Sequence, residues 1–490
     1  MITCYQVIVV NIDNVAKVLE YTAVDIFPDE KRIFDIRSLN LFRNFIDFSM
    51  AESETRIADL FAKESPPMGV LALIEEARKD GFREEDSNKT GNGWINFSRG
   101  EAASNMFYPD ENDPDASVEE RRIKKGKGVD DYGPVAGITA LREEYAMFYN
   151  RLHRSENGQD AFRVENVTIR PGGRPAIHAA LAAFGMEGLG RGRNVRVGHF
   201  HPDYAGYLTP LKVVNGIDPV AIPLDRQSGY HIDVAELRKK IRELGLEVLL
   251  LSNPCNPTGS VIAGEELQKW VELSEETGAY PIIDEFYDEY VYDEEKTRVS
   301  SADYLGRIDD SRVVIVSGIS KSLQAAGWRI AAVLGSKKII GKINAVAGGL
   351  DGGANHPLQV ATIPMLNSPR RDRTHKSRHD DFLEKRNRMT GHLKNIGVQL
   401  ASEPKGTFYL WGDISDLVGD RDQLEIARAF MREKVIPWVP GSAFCVDTND
   451  ETRRRALPQY ENLVRFSYGP RKDIMLAGLK RMKKVVNNLD

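Results

Sequence analysis

Residues 248–259 read Val248-Leu249-Leu250-Leu251-Ser252-Asn253-Pro254-Cys255-Asn256-Pro257-Thr258-Gly259. A short apolar run with no polar alternation predicts a strand buried on both faces. Two Asn-Pro pairs and a glycine then stop it in a stiff, irregular turn. Such a turn can aim the Asn256 amide into a site, or can serve as a turn alone. Helical patterns flank the strand, Asp233 to Leu244 before it and Gly264 to Gly278 after it. Further out the alternation continues. Strands are expected at Val167 to Ile169, Val195 to Phe200, Val220 to Ile222, Tyr280 to Ile283 and Val313 to Val316, with a helix at Pro175 to Phe184. This predicts an α/β fold, a mostly parallel sheet flanked by helices.

Ligands in such folds gather beyond the carboxyl ends of the strands. The strand Tyr280 to Ile283 runs into Asp284-Glu285-Phe286-Tyr287. A carboxylate there is partly buried and needs a partner. A protonated pyridine nitrogen would serve; so would a role as a cap. Tyr287 stands one turn further on. The strand Val313 to Val316 runs into Ser317-Gly318-Ile319-Ser320-Lys321, with Gly327-Trp328-Arg329 behind it. A lysine in a desolvated pocket can act as a nucleophilic amine. Arg329 suits a phosphate dianion. Taken alone, Lys321 would read as a surface lysine.

Together these stretches resemble the class I/II aminotransferases, the aspartate-aminotransferase-like enzymes of fold type I that use pyridoxal 5'-phosphate (PLP). The Asn-Pro-x-Asn-Pro-Thr-Gly run, the Asp-x-x-Tyr and the Ser-x-x-Ser-Lys…Gly-x-Arg stand in family order. The segment Asp130-Tyr132-Gly133-Pro134…Gly137…Leu141-Arg142 is similar to a family signature. So are Lys405 to Tyr409, Pro440 to Phe444 and Val464 to Tyr468. The resemblance runs from about Ser65 to the C-terminus.

The resemblance implies the following roles. Lys321 holds PLP as a Schiff base, and Asp284 keeps the pyridine nitrogen protonated. Asn256 and Tyr287 bind the phenolic oxygen. Tyr204 stacks on the ring. Gly173 and Arg174, with Ser320 and Arg329, hold the phosphate. Tyr132 reaches the phosphate of a neighbouring subunit, which implies a homodimer. Arg465 clamps the substrate carboxylate, and Gly100 lines the substrate side. The implied reaction is transamination between an amino acid and a 2-oxo acid. Elimination by a carbon–sulfur lyase, or an aminocyclopropanecarboxylate-synthase-like cyclisation, remains open on the same site.

Three departures from the family pattern stand out. Gly318 occupies a position where many relatives carry serine. Pro175 occupies a phosphate-turn position and has no N–H to donate. Dicarboxylate-specific relatives carry an arginine a few residues before the Pro357 region, where this segment reads Leu350-Asp351-Gly352-Gly353-Ala354-Asn355-His356, so the resemblance does not extend to aspartate or glutamate as preferred donor. If Asp351 reaches the neighbouring subunit's substrate pocket, it would repel an acidic side chain and favour a cationic or polar one; if Gly352 and Gly353 form a flexible turn instead, it faces water.

The chain has 490 residues and a net charge of -6, without the basic footprint of a nucleic-acid binder. Three cysteines argue for a reducing compartment, and a cytoplasmic enzyme is expected. No apolar run is long enough to span a membrane, and Met1 to Val10 lacks the features of a signal peptide. Three regions are expected. Residues 1–64 form an N-terminal extension and arm. Residues 65–370 form the large cofactor domain, and 371–490 a smaller α+β domain. The polar stretch Glu101 to Asp131 reads as a lid or a surface loop.

Overall fold

The computed structural model describes residues 132–154, 160–293, 296–433 and 435–488. The arm, the Glu101 to Asp131 stretch and Gly100 lie outside the described residues.

Seven strands build the main sheet: β1 Val167–Arg170, β2 Val195–His201, β3 Ile217–Pro223, β4 Val248–Ser252, β5 Tyr280–Asp284, β6 Val314–Gly318 and β7 Ala331–Leu334. Their order is β1-β7-β6-β5-β4-β2-β3. Pairings are parallel from β3 through β6, and β7 runs antiparallel between β6 and β1. The sheet is therefore mostly parallel, as expected. The antiparallel β7 was not foreseen from sequence, because only the three-residue helical turn Ala326–Trp328 separates its four residues from the Lys321 segment.

β4 is buried at every position, as its unbroken aliphatic run requires. One apolar layer, with Leu250, Ile282 and Val316, faces the helix Gly173–Gly190. The opposite layer, with Leu249, Leu251, Ile283 and Ile315, faces the helices Val234–Leu244 and Gly264–Thr277. The sequence sets these helices' ends. Asp233 accepts hydrogen bonds from the N–H groups of Ala235 and Glu236 at 2.8 and 3.3 Å. Gly245 closes the same helix in the left-handed region, φ 59°.

The second sheet is antiparallel, in the order β10-β11-β9-β8. Its strands are β8 Gln399–Leu400, β9 Tyr409–Asp413, β10 Val439–Pro440 and β11 Leu463–Ser467. The two-residue strands β8 and β10 are too short to carry a sequence pattern. The charged helix Pro369–Lys394 leads into this sheet, with Ser368 accepting from the Arg371 N–H at 3.2 Å. Buried Glu289, just past β5, binds Arg371 at 2.7 Å and also Arg378, which ties that helix to the main sheet. Among the described residues no helix is long and apolar enough to cross a membrane, and no cluster of side chains could hold a metal ion.

Candidate active site

Strands β1, β2, β4, β5 and β6 point the same way, so the segments that follow them meet at one edge of the sheet. Between those segments and the second sheet lies a cleft of about 520 Å³. That is within the range of small-molecule sites, roughly 300–1,000 Å³. Its wall brings together Lys321, Asp284, Asn256, Tyr287, Arg329 and Arg465. Gly173, Arg174, Tyr204 and Ser320 complete the set singled out in the sequence. Tyr132 stands apart, 70% exposed and off this wall.

Asp284 ends β5 with its carboxyl buried. It accepts from the Tyr207 hydroxyl at 2.8 Å and from the Phe286 N–H at 3.2 Å. Burial pushes its pKa up to about 6, against the pull of those bonds and of Lys321. A buried carboxylate held this way favours a cationic partner. Lys321 sits on the one-turn helix Ile319–Ser322 directly after β6. Desolvation lowers its pKa; Asp284 opposes that effect, while Arg465 and Arg329 add to it. Its Nζ lies 5.8 Å from the Tyr287 ring centroid and 5.6 Å from that of Phe408. The lowering favours the uncharged amine, the form a nucleophile or proton carrier uses.

The turn after β4 is fastened from below. Buried Asp203 accepts from the Ser252 N–H at 3.1 Å and from the Tyr204 N–H at 2.6 Å, and binds the Ser252 hydroxyl. The Ser252 Oγ in turn accepts from the Asn256 N–H at 3.2 Å. This chain presents the Asn256 side chain to the cleft, where its Oδ1 accepts from Arg465 Nη1 at 2.8 Å. Tyr287 places its hydroxyl 2.9 Å from that of Tyr409. Burial holds the Tyr287 hydroxyl in its protonated form, its pKa well above the usual phenol value.

At the other end of the cleft the helix Gly173–Gly190 points its first turn inward. Gly172 has φ 101°, and a Cβ there would run into the Arg329 guanidinium. A Cβ on Gly173 would come within 2.6 Å of the Phe286 ring. Two glycines thus let backbone N–H groups and Arg329 converge, the arrangement that binds anions. Pro175 falls in that first turn, where a helix has no internal use for the missing N–H. The Arg174 Nε donates to the Tyr204 hydroxyl at 2.9 Å, so this guanidinium braces the aromatic ring.

Gly318 also finds its explanation. A Cβ at this position would sit 2.7 Å from the Ile330 carbonyl oxygen and 2.9 Å from the Ala331 Cα. The antiparallel β7 leaves no room for a side chain here. Ser320 is on the cleft wall instead.

Asp351 makes an ion pair that no local pattern in the sequence signalled. Arg170 Nη1 lies 3.0 Å from Asp351 Oδ1, the arginine fully buried and the aspartate side chain 15% exposed. The same Oδ1 accepts from the Gly353 N–H at 2.9 Å. Its charge thus has a partner within its own chain, while its Oδ2 is buried without a hydrogen-bond partner among the described residues and Asp351 borders a cavity of about 690 Å³ that Arg465 and Tyr204 also line. Tyr207, Tyr409 and Asp203 were not singled out from sequence. Tyr207 follows Tyr204 by three residues and Tyr409 ends the Lys405 to Tyr409 signature, which were the available signals.

The family model "Aminotransferase class I and II" matches residues 94–474. An aspartate aminotransferase of Sulfurisphaera tokodaii is 25% identical over 369 residues, covering 74% of this chain and 84% of that protein. A probable aspartate/prephenate aminotransferase of Aquifex aeolicus is 25% identical, covering 87% of this chain and 97% of that protein. Among solved structures, N-succinyldiaminopimelate aminotransferase from Mycobacterium tuberculosis superposes with a TM-score of 0.62 at 25% identity, covering 74% of this chain and 88% of that one.

Proposed function

The chain belongs to the class I and II aminotransferase family, PLP-dependent transferases of fold type I, and from that premise we propose that it moves an amino group between an amino acid and a 2-oxo acid, with PLP carried on Lys321. One observation carries the reading: the Lys321 amine, the Asp284 carboxyl and the Arg465 guanidinium share one cleft of about 520 Å³.

The residues present fit the cofactor. Asp284 is a buried carboxyl suited to a pyridinium, and the first turn of Gly173–Gly190 with Arg329 forms an anion cradle suited to a phosphate. The reading gives Asn256 and Tyr287 the phenolic oxygen and Tyr204 a ring face; its support is that all three line the cleft. PLP, when bound, supplies the electron sink for charge developing at the substrate Cα. The protein's share is placement and proton movement. Arg465, steadied by Asn256, grips the substrate α-carboxylate. The Lys321 amine, set free when the substrate amine takes its place and its basicity reduced by desolvation, would take the proton from Cα and return one during turnover.

We assign residues 65–370 to the large domain and 371–490 to the small one. A homodimer is part of the proposal, with Tyr132 reaching the phosphate of the neighbouring site; its support is that Tyr132 is exposed and off its own cleft. The test is a half-reaction. PLP-loaded protein is mixed with single amino acids and no 2-oxo acid, and products are identified by mass. Stoichiometric pyridoxamine phosphate and a 2-oxo acid are expected. Ammonia with unchanged PLP would overturn transamination in favour of elimination.

A further inference from the structure

Tyr409 makes two contacts that the roles above leave unused. Its ring centroid lies 4.0 Å from the Arg465 guanidinium carbon, and Phe444 flanks the same group at 4.9 Å. Its hydroxyl lies 2.9 Å from the Tyr287 hydroxyl. The sheet register explains both. Tyr409 on β9 stands opposite Ser467, and Arg465 on β11 stands opposite Trp411. Tyr409 and Arg465 are therefore diagonal neighbours on one face of the second sheet, within reach of long side chains. Tyr409 is buried, so both contacts are shielded from water.

We infer that Tyr409 is a positioning residue that couples the two ends of the site: its ring orients Arg465 toward the substrate carboxylate, and its hydroxyl donates to Tyr287. The direction of the second contact follows from proton counting. Tyr287 has one proton, and in the proposed function that proton goes to the PLP phenolic oxygen. The hydroxyl pair then forms a bond only if Tyr409 is the donor. A donor behind Tyr287 polarises it and strengthens its own donation. The inference rests on the PLP-dependent reading.

The experiment compares wild type, Tyr409→Phe and Tyr409→Leu, each loaded with PLP. Two quantities are read: the pH midpoint of the visible absorption band, and KM for an amino-acid donor. A hydrogen bond to the phenolic oxygen draws off electron density that otherwise helps the adjacent nitrogen hold its proton. Weakening it raises the midpoint, on the order of half a unit in both variants. The Phe variant keeps the ring and holds KM within about twofold, whereas Leu loses the cation–π contact and raises KM about 3- to 10-fold. Should Leu fail to fold, by circular dichroism, Tyr409→Met measures the same loss. An unmoved midpoint in the Phe variant, or an unmoved KM in the variant without a ring, overturns the coupling role. Absence of a visible band in wild type after PLP addition defeats the underlying reading, and this inference with it.

Discussion

Arg465 Nη1 donates to Asn256 Oδ1 across 2.8 Å, joining residues 209 positions apart. The bond spans from β11 of the second sheet to the turn after β4 of the first. It leaves the rest of the guanidinium for a ligand, and the Arg465 Nε is buried without a partner among the described residues. Arg465→Ala should raise KM for any α-amino acid while PLP stays bound. Loss of one partner of a desolvated charged pair costs roughly 2–5 kcal/mol, about 30-fold or more in affinity. Steady-state kinetics with cofactor stoichiometry checks this; unchanged KM would remove Arg465 from the substrate side.

Lys321→Ala should abolish turnover and the visible absorption of the loaded protein, although PLP can still be retained non-covalently by the phosphate cradle. Spectra and single-turnover assays on purified protein decide it. Wild-type turnover in the variant would refute the assignment of the amine.

Asp284→Asn has a pH signature. Burial raises the carboxyl to about 6 in the folded protein, against about 3.9 in an unfolded chain. A folded state that holds the proton more tightly gains stability below the unfolded value and loses that gain as pH rises through about 6. Asparagine mimics the protonated form. Without cofactor, the variant's melting temperature should therefore gain on wild type as pH rises from about 4.5 to about 8. With PLP the order should reverse, because the ionised carboxylate then has a cationic partner. Scanning calorimetry at several pH values tests both halves. A pH-independent difference in the cofactor-free protein would show that Asp284 is not titrating as described.

Gly318→Ser should destabilise this protein. The new Cβ meets backbone atoms of Ile330 and Ala331 at 2.7 and 2.9 Å, and backbone cannot step aside as a side-chain tip can. Overpacking of this kind costs about 1–3 kcal/mol. A denaturant melt showing equal or greater stability would mean that β7 yields.

Asp351→Ala should cost stability rather than switch specificity. It strands fully buried Arg170, and breaking a buried ion pair costs roughly 2–5 kcal/mol. The expected result is a lowered melting temperature with the ratio of kcat/KM for acidic and basic donors little changed. A large shift in that ratio would show that Asp351 acts on the donor side chain.

Three of the site residues named from sequence were legible because each follows an apolar run; Arg465 and Tyr204 were legible only through the family resemblance. Lys321, Asp284 and Asn256 each stand just past a strand that its own residues specify, and parallel strands bring such ends to one edge. Their supports were not legible in this way. Tyr207 and Asp284 are 77 residues apart, Tyr287 and Tyr409 are 122 apart, and Arg170 and Asp351 are 181 apart. No local pattern marks a hydrogen bond over such a span.

By itself, then, the sequence determined where strands and helices form and which chemistry stands at their ends, since hydrophobic runs, Asn-Pro turns and capping residues act within a few residues of themselves. Only the tertiary structure decided that β7 lies antiparallel beside β6 and excludes a side chain at Gly318. It alone decided that Asp351 answers Arg170, and that Tyr409 meets both Tyr287 and Arg465. The reason is physical: a buried polar group must find its partner among whatever the sheet order brings within about 3 Å, and that order is set by the packing of the whole core.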